Sequence, residues 1–135
     1  MNLLNPYSSH LLSLLRIMSG LFILEHGTTK YLNFPIGPMN NASIATMSGA
    51  AGAFELVCGV LVLVGLFTRP AAFLLSGMTA VAYFLIHAGR GLYPILNGGE
   101  LAALYCFVFL YLAATGGGSL SIDRLIFKKH IDAPQ

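Results

Sequence analysis

The residues of this chain with the chemistry to move protons or hold a ligand sit in segments that otherwise look built for lipid. Glu25, Glu55 and Glu100 each interrupt or open an apolar run, and His26 and His87 do the same. Charged residues make up 9% of the chain and hydrophobic ones 56%. A charge at the centre of a membrane helix costs roughly 2.5–3.5 kcal/mol on insertion scales, so three unpaired glutamates would cost on the order of 10 kcal/mol. Such groups must be paired, protonated or at the rim, and their default reading is functional. Glu55 has the poorest structural excuse, lying deep within FELVCGVLVLVGLF. Glu55, His87 and Glu100 are therefore the candidate catalytic residues. His26, Tyr83, Arg90 and Glu25 are the candidate ligand-binding ones.

Four apolar segments of about 20 residues can position these groups across a bilayer. They lie near 11–30, 48–67, 70–90 and 97–115, followed by a short basic tail over 119–135. The expected fold is all-α, a single membrane domain over 1–135 forming a four-helix transmembrane bundle. The breaks are chemically sensible. Residues 33–47 carry Pro35, Gly37, Pro38, Asn40 and Asn41; Thr68-Arg69-Pro70 is a tight connection with Pro70 in the first turn of a helix; Leu92-Tyr93-Pro94 interrupts the chain; and Gly116-Gly117-Gly118 ends the last span.

Composition agrees. The chain has 15 glycines and no tryptophan, and glycine is frequent where membrane helices approach closely. A formal net charge of +2 is too small for a nucleic-acid binder. The basic cluster Arg124, Lys128 and Lys129 in the tail reads as a topology signal. Cys58 and Cys106 form no CxxC pair and read as small buried hydrophobes. The N-terminus lacks the basic region and cleavage site of a secretory signal, so the first segment reads as an uncleaved helix.

Lysine and arginine bias orients the spans. The side holding the N-terminus, Arg69 and the tail is expected to be cytoplasmic, with both termini there. Lys30 and Arg90 fall on the outer side. At about 1.5 Å per residue, Glu25 and His26 then lie within about two turns of the outer surface and Glu55 about 10 Å in. His87, Arg90, Asn97 and Glu100 lie at the outer ends of their helices. One outer layer thus collects the ionisable groups, with Arg16 and Arg69 left on the cytoplasmic side. Tyr83, His87 and Arg90 at i, i+4 and i+7 share a helical face, extended inward by Ser76 and Thr79. Ser48, Gly52, Glu55 and Gly59 form a stripe that is small except for its acid, suited to close helix packing. Glu25 and His26 point about a quarter turn apart, so both cannot face one partner equally.

Blander roles compete. Asn97-Gly98-Gly99-Glu100 is close to a capping box. Lys30 and Arg90 suit interfacial anchors that snorkel, Arg69 a topology anchor, and Arg16 either an anchor or a paired group. Arg16, Lys30, Arg69 and Asn97 are accordingly assigned structural or topological roles.

The ordered set of these residues resembles the DoxX family of small membrane proteins. The matching positions are Arg16, Gly20, His26, Gly27 and Lys30; Glu55, Gly59, Gly65 and Arg69; His87, Asn97, Gly98, Gly99 and Glu100; and Ser121 with Asp123 in a closing Ser-x-Asp pattern. The loop at 33–47 carries no matching pattern. The resemblance implies a four-helix integral membrane protein of a bacterial-type plasma membrane, and the name-giving branch looks like a quinone-linked subunit of a thiosulfate-oxidising complex. It supplies no agreed catalytic residues.

The first functional expectation is thus a subunit of a quinone-linked oxidoreductase. A quinone needs an apolar slot between helices and donors for its carbonyl oxygens, which Tyr83, His87, Arg90 and His26 can supply, with Glu55 or Glu100 as proton carriers. No haem, flavin or iron–sulfur motif is present, so no intrinsic cofactor is expected and a partner redox subunit is implied. The second is a non-catalytic anchor or assembly subunit whose intramembrane ion pairs fix helix register. A metal site is a weak third, since Glu-x-x-His and His-x-x-x-His spacings are missing. A transporter would need a homo-oligomer, which glycine-rich faces permit without requiring it.

Overall fold

The computed structural model describes residues 3–127, so Lys128 and Lys129 of the expected basic cluster lie outside it. Within that range it is all-helical. A short 3-10 turn, Asn5–Tyr7, runs into α1 (Ser8–Leu32). Then come α2 (Met47–Val64) and α3 (Thr68–Ala82), the latter prolonged by a π-turn over Tyr83–His87 and a 3-10 turn over Ala88–Arg90. A single turn α4 (Pro94–Asn97), α5 (Glu100–Thr115) and a short α6 (Ile122–Phe127) complete the chain. Three stretches, Asn5–Leu32, Met47–Val64 and Thr68–Arg90, are long and apolar enough to cross a membrane. The fourth apolar helix, α5, has 16 residues and rises about 24 Å, so it is the short member of the set.

Neighbouring helices pair as hairpins: α1 lies along α2, α3 lies along α5, and a shorter α2–α3 seam joins the two pairs. One end of the bundle, here the tail end, holds the start of α1, the α2–α3 turn, the end of α5 and α6. The other, the loop end, holds the end of α1, the start of α2, the 33–46 loop and the α3–α5 connection.

The distribution of side chains inverts that of a soluble protein. Ser13, Arg16, Ser19, Thr29, Lys30, Glu55, Thr68, Ser76, Thr79 and Asn97 are buried, while Phe54, Val57, Phe73, Phe84, Leu85, Leu104 and Phe107 are exposed. Large apolar groups facing outward have no aqueous rationale and suit acyl chains. The inner core is small and sits mid-bundle, around Ile23, Cys58, Val62, Ala72, Leu75, Phe109 and Leu112. With little apolar side-chain mass inside, close backbone approach must supply the packing. A Cβ on Gly20 would lie 2.7 Å from the Leu63 backbone nitrogen, and one on Gly59 3.1 Å from the Leu24 Cα. The α1–α2 contact therefore uses the small stripe expected on α2.

The structure corrects three local expectations. The second helix stops at Val64 because Gly65 takes a left-handed φ of 74°, so Phe67 belongs to the turn into α3. The third helix does not continue as α-helix to Arg90; its π-turn shifts the register, and Arg90 ends exposed in the 3-10 turn rather than on one face with Tyr83 and His87. Asn97 and Glu100 do not form a capping box: Asn97 ends α4, its Oδ1 accepts from the Gly99 N–H at 2.8 Å, and Gly99 is the residue before α5.

Candidate functional site

Lys30 comes from the last turns of α1 and Glu55 from the middle of α2. The Lys30 Nζ donates to Glu55 Oε1 at 2.9 Å and Oε2 at 2.8 Å, with both side chains almost wholly buried. Gly52, one turn before Glu55, makes this possible: a Cβ there would lie 2.8 Å from Lys30 Cδ and 2.9 Å from the Tyr31 ring. The aliphatic stem of Lys30 crosses the bare backbone of Gly52 to reach the acid. Lys30 is therefore not the snorkelling anchor expected. A carboxylate one turn past a glycine offered it a closer partner than the interface.

The end of α1 is fixed from the loop. Asn33 takes a left-handed φ of 55° and Asn40 Nδ2 donates to the Thr29 carbonyl at 2.8 Å. Tyr31 donates to the Gly49 carbonyl at 2.6 Å, and the Thr46 hydroxyl caps α2 by accepting from the Gly49 N–H at 3.1 Å. The end of α1 that carries Lys30 and the start of α2, two turns before Glu55, are thus held in register by polar contacts.

On the other hairpin, the Gly98-Gly99 link lets α5 close onto the end of α3. A Cβ on Gly99 would lie 2.7 Å from the Tyr83 ring and 2.8 Å from His87 Cβ. His87 Nδ1 lies 3.1 Å from the Asn97 carbonyl oxygen, and the rings of Tyr83 and His87 stack at 6.4 Å. On α1, His26 Nδ1 lies 2.9 Å from the Phe22 carbonyl oxygen. A carbonyl only accepts, so each Nδ1 must carry the proton and donate it. Each Nε2 is then left available as an acceptor, or as a second donor once protonated.

Between the two hairpins at the loop end lies a cavity of about 800 Å³. Its walls are mainly apolar, with Ile23, Met47, Phe54, Met78, Leu101 and Tyr105 among them, and His26, Lys30, Glu55 and His87 supply the ionisable groups. Three of the expected site residues, His26, Glu55 and His87, are thus brought to one space, together with Lys30. Tyr83 supports His87 from behind without lining the cavity. Glu25, Arg90 and Glu100 are exposed and do not line it. Tyr105, buried and stacked on Phe109, joins the cavity wall unannounced, because an aromatic within an unbroken apolar run gives no sequence signal for a site. No three His, Cys, Asp or Glu side chains stand together as metal ligands among the described residues.

Among the described residues, Arg16, Arg69 and Arg124 lie at the tail end. Arg16, 1% exposed, donates to the carbonyl oxygens of Gly117 (Nε, 3.0 Å), Val62 (Nη1, 2.7 Å), Leu63 (Nη1) and Leu120 (Nη2). It satisfies the last carbonyls of α2 and ties them to the turn after α5, where a cation also suits the negative end of the helix dipole. Asp123 accepts from the Phe67 and Thr68 N–H groups at 2.7 and 2.8 Å, holding Phe67 at its left-handed φ of 48° and capping α3. Ser121 accepts from the Arg124 N–H at 3.3 Å, so the closing Ser-x-Asp pattern has a structural meaning. Arg69 is exposed at the start of α3.

The DoxX family model matches residues 11–88. An uncharacterized protein of Haemophilus influenzae (strain ATCC 51907 / DSM 11121 / KW20 / Rd) is 46% identical over 134 residues, covering 96% of this chain and 100% of that protein. A second uncharacterized protein of the same strain is 38% identical over 74 residues, 55% of this chain and 49% of its own length. A Bacillus subtilis (strain 168) protein named "Putative oxidoreductase CatD" is 31% identical over 118 residues, 85% of this chain and 86% of its own. No solved structure matches. The matched span takes in Arg16, His26, Lys30, Glu55 and His87, and the chain belongs to the DoxX family of membrane proteins.

Proposed function

We propose that this chain is the quinone-binding membrane subunit of an oxidoreductase complex. In this reading four apolar helices cross a bacterial plasma membrane, both termini are cytoplasmic, and the cavity lies towards the outer face. Arg69 and Arg124 at the tail end support the orientation through the positive-inside bias, and the bacterial relatives fit the compartment. The name of the Bacillus subtilis relative, an oxidoreductase, supports redox work.

The observation that carries the proposal is the cavity itself. Its volume suits a flat ring with a tail, its walls suit an apolar ligand, and its ionisable groups stand on more than one wall. Reduction of a quinone to a quinol takes two electrons and two protons. The electrons come from a redox centre on a partner subunit. His26 and His87, with the Nδ1 proton committed to backbone carbonyls, present Nε2 as the site of proton transfer, and once protonated there each can donate to a quinone carbonyl oxygen. The Lys30–Glu55 pair sets a fixed dipole in the wall. Glu25, Arg90 and Glu100, exposed at the same end, fit a rim where protons exchange with water.

The test is calorimetric titration of the full chain in nanodiscs with short-tailed ubiquinone and menaquinone analogues. Saturable binding is expected, weakened about tenfold by His87→Ala with helical content unchanged. Absence of saturable binding by the native chain, or native affinity in both His87→Ala and Glu55→Gln, overturns the proposal.

A second reading, a non-catalytic anchor or assembly subunit, draws on one observation. Both oxygens of Glu55 are taken by Lys30, as a pair that only fixes helix register would require.

A further inference from the structure

A second cleft, of about 560 Å³, opens at the tail end between the start of α3, the glycine turn after α5 and α6. Arg69 and Arg124 line it, and their guanidinium groups make no ion pair or side-chain hydrogen bond among the described residues. The acid in the same wall, Asp123, is committed to the Phe67 and Thr68 N–H groups. The start of α3 is therefore already capped, and any anion in the cleft must be held by side chains. One more group points to a ligand. Thr68 lines the cleft at 0% exposure, and its hydroxyl has no partner. Native proteins rarely leave a buried hydroxyl unmatched.

The turn is shaped to leave room beside these groups. A Cβ on Gly117 would lie 2.9 Å from Thr68 Oγ1, and one on Gly116 3.4 Å from Arg69 Nε. Leu12, Phe67 and Phe127 add apolar wall next to the polar part.

We infer that this cleft binds a phosphate group, with Arg69 and Arg124 on its oxygens and the Thr68 hydroxyl as a further partner. Guanidinium forks match phosphate oxygens in charge and geometry. A cleft at the ends of membrane helices, polar on one side and apolar on the other, suits the headgroup of an anionic phospholipid. A free phosphate would offer the same oxygens. The site is independent of the quinone proposal, since it lies at the opposite end of the bundle.

Native mass spectrometry of the full chain, titrated separately with phosphatidylglycerol, phosphatidylcholine and inorganic phosphate, tests this. Phosphatidylglycerol is expected to bind about tenfold more tightly than phosphatidylcholine. The pair Arg69→Gln with Arg124→Gln should abolish that preference. Thr68→Val should weaken it several-fold without lowering the melting temperature, because the hydroxyl it removes has no partner in the protein. Saturable binding of inorganic phosphate that is lost in the double variant, with no lipid preference, supports the same site with free phosphate as its ligand. Equal binding of the two lipids with no phosphate binding overturns the inference. A lipid preference that survives the double variant overturns it as well.

Discussion

Arg16 at the tail end and Lys30 at the loop end are both cations buried among apolar helices, at 1% and 5% exposure, and their partners differ in kind. Arg16 spends its donors on neutral carbonyl oxygens from two separate parts of the chain, at the end of α2 and in the turn after α5. Lys30 faces one carboxylate in the wall of a cavity. At the tail end each polar group of this set answers another: Ser13 accepts from the Leu120 N–H at 3.0 Å, and Asp123 accepts from two N–H groups of the α2–α3 turn. At the loop end two histidines keep a free ring nitrogen beside unfilled space. Saturated polar contacts rigidify and specify, whereas spare hydrogen-bonding capacity next to a cavity is what a ligand needs. The contacts around Arg16 hold the tail end together, and the two histidines leave the loop end able to bind an apolar ligand.

The largest expected effect breaks the first half of that comparison. Arg16→Met keeps an unbranched stem but strips partners from the Val62, Leu63, Gly117 and Leu120 carbonyls. Hydrogen bonds to a charged group are worth about 1.5–3 kcal/mol each, so a loss of more than about 4 kcal/mol is expected, a large share of a typical folding free energy. Denaturation of the purified chain in mixed micelles should show a collapse of the folded baseline. A native midpoint would show that the carbonyls find other partners and that the tail end is not held by Arg16.

An intermediate effect sharpens the second half. Lys30→Met leaves Glu55 buried without its partner, at an expected cost of about 3–5 kcal/mol. The double variant Lys30→Met with Glu55→Gln should regain most of it, because neither charge is then stranded. Arg16 allows no such rescue, since its partners are backbone. Quinone-analogue binding by the refolded double variant separates the two functional readings. Native affinity would make the pair purely structural, while binding weakened about tenfold would place it in the site.

Much of this was legible in the sequence and some was not, for identifiable reasons. Apolar runs with glycine and proline breaks reported the helices, and spacing alone gave the Gly52–Glu55–Gly59 face of α2 that packs on α1. His26, Glu55 and His87 were recognisable because polar groups in such runs need a reason to be there. Their convergence on a shared cavity depended on helix rotation, which a single span does not encode. The quarter turn between Glu25 and His26 is the clearest case: the structure turns His26 to the cavity and leaves Glu25 exposed. Lys30 was misread because depth alone favoured the interface, whereas the route to Glu55 depends on the missing side chain of a glycine on another helix. The π-turn that moved Arg90 off the Tyr83 face has no residue pattern of its own. The carbonyl partners of Arg16 were invisible for the same reason that they work, since every residue has one.

The smallest expected effect comes from a pair of glycines that samples the two kinds of packing side by side. Gly52 lies under the stem of Lys30, and Gly77 on α3 lines the cavity with nothing within 4 Å of where its Cβ would be. Gly52→Ala forces Lys30 and Tyr31 to shift and should cost about 1–3 kcal/mol. Gly77→Ala meets no atom and removes a helix-interior glycine, so it should be neutral or stabilising by up to about 1 kcal/mol. Its cost should appear in binding instead: one methyl in the cavity is expected to weaken quinone-analogue affinity a few-fold while the unfolding midpoint holds or rises. Parallel midpoint and affinity measurements on the two variants would show the pattern. If Gly77→Ala destabilised the chain as much as Gly52→Ala, the space beside α3 would be closed in the membrane and as tightly packed as the α1–α2 contact at Gly52.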